Sequence, residues 1–419
     1  MSRIGQFAVS APTAARRWPS PPQGRPHELL ARRYERGFSQ SLLPTVGLEE
    51  ELILVEPVSL EPASEAERVL AVLDDPRFTA ELRTAQIELV LPVCLTVADL
   101  RRELRAARAR LVEALGGSLR ALGAGTHPHA TRPVLVTDRP RYRKIAREYP
   151  WALRHGMPCG LHVHVAVGDP DEALAVFNAA RSYLPEIAAL AANSPYFDGT
   201  DSGLASSRLT LTEELPRSGI PPAFGSWHEL GAFVAWGSAA GIFPDLTYLW
   251  WDLRPRPEYG TLEFRIADTQ SSAADAAAIA AVCQALVVSL GARHRAGEEL
   301  PAHPAHVLNE NRWLAVRDGV EGILVDPESG TAEPARERIG RLLLELEPFA
   351  SELGCDDELA DAWRLLAGNG ACRQREVAAQ RSVRGLLEWL ADETEHATGE
   401  GPVGEPRGPA SVEDAAASR

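Results

Sequence analysis

Lysine is nearly missing from this 419-residue chain: Lys144 is the single one, and arginine supplies the rest of the 43 basic residues. A Walker-type phosphate loop needs a Gly-Lys-Ser/Thr step, and Lys144 stands between Arg143 and Ile145, so that loop is excluded. A Schiff-base or pyridoxal enzyme would rest on Lys144 alone, which lies in an arginine-rich run with the character of surface. Cysteine is sparse as well. The five at 94, 159, 283, 355 and 372 are odd in number and never closer than 17 residues, so they outline neither a disulfide framework nor a zinc ribbon, and a reducing cytoplasm is the expected compartment. A signal-peptide core is not found, because Phe7 to Ala15 is short and broken by proline. Long apolar runs are lacking too: the longest uncharged one, Ala276 to Ala292, falls short of a bilayer span and contains Gln284 and Ser289, so it is expected to be a buried helix. Positive charge is outweighed, with 58 acids against 43 bases and a formal net charge of −15, which argues against nucleic acid or an anionic membrane as partner.

What is present is a chain 45% hydrophobic, ample for a large core. Residues 1–44 are rich in Arg, Pro and Ser and are expected to be a flexible extension with one short helix around Leu29 to Phe38. Residues 398–419 have the composition of a disordered tail, and 45–397 carry no linker or fixed repeat that would divide them, so one domain is expected. Thr45–Val55, Leu161–Val167 and Gly260–Ile266 alternate as strands. Val97–Leu122 has helical spacing, as do 171–193, 272–292, 335–353 and 357–367. Strands and long helices in no βαβ rhythm indicate an α+β fold with an antiparallel sheet.

The chemistry-bearing residues sit on these strands. In TVGLEEELILV, alternation puts Glu49 and Glu51 on one face, roughly 7 Å apart, and turns Glu50 away. Such a pair suits hard cations; the alternative is a solvated edge strand, which the apolar flanks weaken. Glu81 and Glu88 in ELRTAQIELVLPV form a second acidic pair, with a strand-end salt bridge as the alternative role for Glu88. His162 and His164 in GLHVHV share a face, as metal ligands or as hydrogen-bonded core histidines, and His127 and His129 in GAGTHPHA read as a loop pair. In WWDLRPRPEYGTLEFRIAD, Glu263 and Arg265 share a face, as a cross-strand ion pair or an anion site. Arg208, Arg254, Arg373 and Arg375 are further anion-binding candidates. Carboxylates with few nitrogens favour Mg²⁺ or Mn²⁺ over zinc, and together with the arginines they describe a metal- and phosphate-handling enzyme without a P-loop.

Eight blocks, TVGLEEELILV, ELRTAQIELVLPVC, RYRKIAREYPWALRHGMPCGLHVHVAV, LAANSPYFDGTDSGLASSR, LPRSGIPPAFGSW, WWDLRPRPEYGTLEFRIADTQ, ENRWLAVRDGVEGILVD and GNGACRQRE, resemble in order those of the YbdK-type carboxylate–amine ligases, also called glutamate–cysteine ligase type 2. The resemblance implies a glutamine synthetase-like catalytic domain, with a curved, mostly antiparallel sheet and helices on its outer face. It implies ATP and Mg²⁺, with Mn²⁺ as a substitute, as cofactors; small acid and amine substrates; and a homodimer as a family habit. It implies Glu49, Glu51, Glu81, Glu88, His162 and Glu263 as metal or metal-adjacent ligands, with His164 behind them. Arg265, Glu263 and Arg208 take catalytic roles, and Arg254, Arg373 and Arg375 contact the nucleotide or a carboxylate. The reaction implied is phosphorylation of an acid by ATP, then attack of an amine on the acyl phosphate. The sequence departs from the pattern at Ala166, where glycine is usual, and at TQSSAAD, where a cysteine-containing turn is frequent. A zinc amidohydrolase built on His162 and His164, or a non-catalytic ligase-fold binding protein, are the competing readings.

Overall fold

The computed structural model describes residues 26–39, 43–154 and 156–396; the expectations for residues 1–25 of the extension and for the tail 398–419 lie outside the described residues. The frame is one seven-stranded sheet of β1 (Val46–Val55), β2 (Phe78–Ala80), β3 (Gln86–Val90), β4 (Arg120–Leu122), β5 (Gly160–Ala166), β8 (Leu253–Arg256) and β9 (Thr261–Asp268). Two ribbons, β6 (Tyr196–Phe197) with β7 (Thr200–Asp201) and β10 (Ile323–Val325) with β11 (Ala332–Pro334), stand apart from it. The order is β2-β3-β1-β5-β9-β8, with β4 on the C-terminal half of β1, and every pairing is antiparallel, as the alternating strands lead one to expect.

One face of the sheet is apolar and carries the helices. Leu48, Leu52, Leu54, Ile87, Leu89, Leu161, Val163, Val165, Leu262 and Phe264 are buried there. Against them pack α3 (Val97–Leu115), α5 (Pro170–Ala180) and α9 (Ala273–Arg295), with α11 (Ala335–Leu353) and α12 (Asp356–Ala367) outside α9. Helix α9 is long and apolar enough to cross a membrane, yet 89% of its apolar window is buried within this layer, so it is the core helix expected from its composition. The opposite face is covered only in part: Ile53, Val55 and Leu122 pack against Leu386, Leu387, Leu390 and Ala391 of α13 (Gly370–Glu395), which leaves the N-terminal half of β1 facing polar neighbours.

Several elements differ from the sequence reading. The helix begun at Val97 stops at Leu115, because Gly116 takes a left-handed φ of 55° and caps it, and Arg120–Leu122 continues as β4. The short helix expected within residues 1–44 is α1 (Pro26–Phe38), and it is packed into the molecule rather than free: Phe38 stacks on Trp227 of α8 (Trp227–Ala239) with ring centroids 4.9 Å apart. Gly37 lies so close to the β8–β9 turn that a Cβ there would come within 2.0 Å of the Pro257 carbonyl oxygen, so only glycine admits this approach.

The turned-away Glu50 is the one charge of β1 that enters the helical layer. It is fully buried and accepts both edges of the Arg108 guanidinium, Nε at 2.8 Å and Nη2 at 2.7 Å, while Arg108 also donates to the carbonyls of Gln270 and Ser271. This fork ties β1, α3 and the turn after β9 into one unit. Arg108→Ala therefore leaves an uncompensated buried carboxylate, and chemical denaturation should show a loss of about 3–5 kcal/mol. The Glu50→Leu, Arg108→Met pair should recover most of it; equal losses in both variants would contradict the assignment.

Candidate active site

On the open face, strand pairing assembles the glutamates. Glu49 lies opposite His162, Glu51 opposite Glu88, and His164 opposite Glu263, which itself faces Arg254. Between Leu161 and Val163 the register shifts, so that Arg265 and Ile266 of β9 oppose the single residue His162. That bulge carries Arg265 across to the His162 ring: its Nη1 lies 3.3 Å from His162 Nδ1 and donates to Glu263 Oε1 at 2.6 Å.

Two overlapping groups of ligand atoms result, Glu49 with Glu88 and His162, and Glu49 with His164 and Glu263, each with its atoms within 4.8 Å of one another. Glu49 belongs to both. His162 Nδ1 is 3.2 Å from Glu49 Oε2, and His164 Nε2 is 3.3 Å from Glu49 Oε1. The His164 Nδ1 is engaged by the Thr261 hydroxyl at 3.1 Å, while its Nε2 is buried without a hydrogen-bond partner, a nitrogen prepared for a ligand. Glu51 accepts the Gly160 N–H at 2.8 Å, and a Cβ on Gly160 would meet Arg208 Nη2 at 2.3 Å and His162 Nε2 at 2.9 Å. The oxygen-rich donor sets, each with one imidazole, fit a hard divalent cation such as Mg²⁺ or Mn²⁺.

The electrostatics divide the five carboxylates. Burial pushes Glu263 up, but Arg254, Arg265, His164 and Arg256 around it prevail and hold it well below the usual carboxylate range. Glu49 is likewise pushed up by burial and held well down by the imidazoles of His162 and His164. Glu51 is raised to about 7, by burial first and then by Glu81. Burial also raises Glu81, and it raises Glu88 well above its ordinary value together with Glu81, Glu49 and Glu51. His162 is lowered to about 4 by burial and by Arg265, so its ring is neutral and free to coordinate. Glu49 and Glu263 are thus shifted toward the ionised form and Glu51, Glu81 and Glu88 toward the protonated one, so a bound cation would compete with protons at the latter three.

This geometry has counterparts. The family model for glutamate–cysteine ligase family 2 matches residues 45–400. A Rubrobacter xylanophilus protein named "Putative glutamate--cysteine ligase 2-3" is 38% identical over 372 residues, 86% of this chain and 99% of that one. A Mycolicibacterium smegmatis protein named "Putative glutamate--cysteine ligase 2-1" is 34% identical, over 85% of this chain and 97% of its own. The chain belongs to glutamate–cysteine ligase family 2. Its fold is that of the Francisella tularensis glutamate–cysteine ligase crystallised with AMP, at a TM-score of 0.62 and 12% identity over 86% of this chain and 90% of that one. The bifunctional glutathione synthetase of Pasteurella multocida shares it at 0.56 and 16% identity, over 88% of this chain and 54% of that one.

Of the residues singled out from sequence, this family-2 chain brings Glu49, Glu51, Glu81, Glu88, His162, Glu263, Arg265 and Arg208 together. Three of the arginines are engaged by carboxylates. Antiparallel pairing sets Arg254 beside Glu263, which it grips with Nε at 2.8 Å and Nη2 at 3.0 Å. Arg373 is paired with the buried Asp275 of α9 at 2.5 Å, and Arg375 forks onto Asp201 at 2.9 and 3.1 Å, so neither reaches the glutamates. His164, expected behind the ligands, belongs to a ligand group, and residues that the sequence reading passed over are Arg256 on Glu263 at 3.1 Å and Tyr142, whose hydroxyl donates to Glu81 at 2.8 Å from α4 (Pro140–Glu148). The two-residue spacing of His162 with His164 and of Arg254 with Arg256 was the available signal. TQSSAAD also has a role: Thr269 Oγ1 donates to the carbonyls of Glu51 and Gly160, both at 2.9 Å.

A carboxyl raised on folding stabilises the protein below its unfolded value of about 4.5 and loses that contribution as pH rises through about 7. Without divalent cations, Glu51→Gln should therefore gain melting temperature relative to the parent as pH rises from 5 to 8. Added Mn²⁺ should reverse the gain; a pH-independent difference would contradict the placement of Glu51. In calorimetric Mn²⁺ titrations Glu49→Gln should remove binding at both groups, whereas His164→Ala should weaken one.

Proposed function

We propose that the chain is an ATP- and Mg²⁺-dependent carboxylate–amine ligase that makes an amide through an acyl phosphate, glutamate and cysteine being the first acid and amine to test. The observation that carries this reading is the pair of ligand groups sharing Glu49, bordered by Arg265, Arg254, Arg256 and Arg208. The names of the family-2 relatives support amide formation, and the AMP held by the Francisella fold neighbour is the reason to test an adenine nucleotide.

Two anions, the acid and the terminal phosphate, must meet. Divalent cations bound by Glu49, Glu88, Glu263 and the two histidines supply the positive charge that lowers their repulsion. Arg265 stands over the same pocket with one guanidinium edge fixed by Glu263, and its charge stabilises the phosphoryl group in flight. Arg254 forks onto both oxygens of Glu263 and Arg256 donates to Oε2, which favours the ionised carboxylate and keeps it aimed. Arg208 is fixed through the carbonyl of Arg265 at 3.0 Å and has a buried, unpartnered Nε beside Glu51, which suits a substrate carboxylate. The carboxyl of Glu51 or Glu81, raised by burial, would in its ionised form accept a proton from the incoming ammonium before the amine attacks the acyl phosphate. The amine then displaces phosphate, and no covalent enzyme intermediate is needed.

Incubation with ATP, Mg²⁺ and glutamate, with hydroxylamine in place of the amine, should yield ADP and the γ-hydroxamate. Cysteine should give a dipeptide visible by mass spectrometry. Glu263→Gln should lower ADP release by at least about a hundredfold, the scale of removing one transition-state contact. Hydrolysis of amides without ATP, abolished by zinc chelation, would favour the hydrolase instead.

A further inference from the structure

Beside the glutamate face lies a cavity of about 480 Å³ whose walls include Arg83, His127, Arg132, Arg154, Met157 and Asp198. Its volume is that of a small-molecule site. Arg83 is 6% exposed and donates to the carbonyls of Val134 at 3.2 Å, Leu153 at 2.5 Å and Gly156 at 3.4 Å, yet its Nε is buried with no partner. Arg108, Arg254 and Arg312, equally buried, each fork onto a carboxylate; Arg83 has no carboxylate partner among the described residues. Arg132 and Arg154 are exposed at the same cavity, Arg154 over the Trp151 ring at 5.8 Å, and neither has an ion-pair partner among the described residues. Asp198 is the single acid in the lining. His127 adds no charge: burial lowers it to about 4, its Nε2 donates to the Leu60 carbonyl at 2.9 Å, and its Nδ1 accepts the His129 N–H at 3.1 Å.

Three arginines line this cavity against Asp198, with the Glu61 carboxylate held beside it by the Thr131 N–H and hydroxyl, so among the described residues nearest it arginine outnumbers acid in a chain of net charge −15. The cavity is tied to the glutamate face through the chain: Arg83 follows Glu81 by two residues, and the Gly156–Met157 wall runs on to Gly160, whose N–H holds Glu51. We propose that this cavity binds the carboxylate of a small organic anion, with Arg83 as the buried anchor and Arg132 and Arg154 closing over it. The proposal draws on the ligase reading for its choice of probes and for one of two sources: the carboxylate belongs either to a substrate's non-reacting end or to a separate regulator.

Binding is measured by calorimetry on the full chain without nucleotide or divalent cation, using glutarate and its neutral diamide as probes, so the result does not depend on turnover. Glutarate should bind saturably and the diamide should not. Arg83→Met should weaken glutarate about tenfold or more, the scale of one charge-assisted hydrogen bond, and the exposed Arg132→Ala, Arg154→Ala pair, which leaves the fold untouched, several-fold. Glu49→Gln should bind it as the parent does. Absence of saturable binding, equal binding of the diamide, or undiminished binding in the exposed pair would overturn the proposal. A raised KM for one substrate at constant kcat in Arg154→Ala assigns the carboxylate to that substrate; an unchanged KM with weakened inhibition by glutarate assigns it to a regulator.

Discussion

Five glutamates directed at one another across one face of a sheet form the constraint around which this molecule is organised. Left to themselves, Glu49, Glu51, Glu81, Glu88 and Glu263 would repel, and each would be costly to bury. The fold answers in two ways. Glu263 is surrounded by Arg254, Arg256 and Arg265, which favour its ionised form, while burial shifts Glu51, Glu81 and Glu88 toward the protonated one. That division is unstable toward any divalent cation, which turns three raised carboxyls into ligands, and a face costly to assemble becomes the place where metal and phosphate chemistry is favoured.

The sheet's period of two enforces a second division, between front and back. Glu50 differs from its neighbours only in parity, and it is spent on structure, locked to Arg108 under the helical layer with the Gln270 and Ser271 carbonyls. Thr269 repeats the link from the other side by bonding the Glu51 and Gly160 carbonyls. The strand bearing the ligands is thereby held from behind by groups that never touch them, which keeps side chains of like charge in fixed positions.

Much of this was legible from the residues. Alternation assigned Glu49 and Glu51 to one face and Glu50 to the other, the His-x-His spacing put His162 and His164 side by side, and the absence of any lysine but Lys144 directed phosphate handling to arginine. What periodicity cannot convey is partner choice. Arg254, Arg373 and Arg375 looked alike in sequence, yet strand pairing delivers Arg254 to Glu263, while α13 places Arg373 on Asp275 and Arg375 on Asp201. The β9 bulge that brings Arg265 to His162 is a register shift with no local signature, and Arg108, one of many arginines on its helix, is buried because a distant strand supplies its carboxylate. Helix α1 is similar: its Arg- and Pro-rich setting resembles an extension, and only the stacking of Phe38 on Trp227 shows that it is packed.

The sharing of Glu49 between two ligand groups is the feature on which the metal reading stands or falls. Anomalous diffraction at the manganese edge from crystals grown with Mn²⁺ tests it directly. Two peaks are predicted, one among Glu49, Glu88 and His162 and the other among Glu49, His164 and Glu263. Peaks confined to exposed acids, with Glu49 unligated at saturating Mn²⁺, would contradict it.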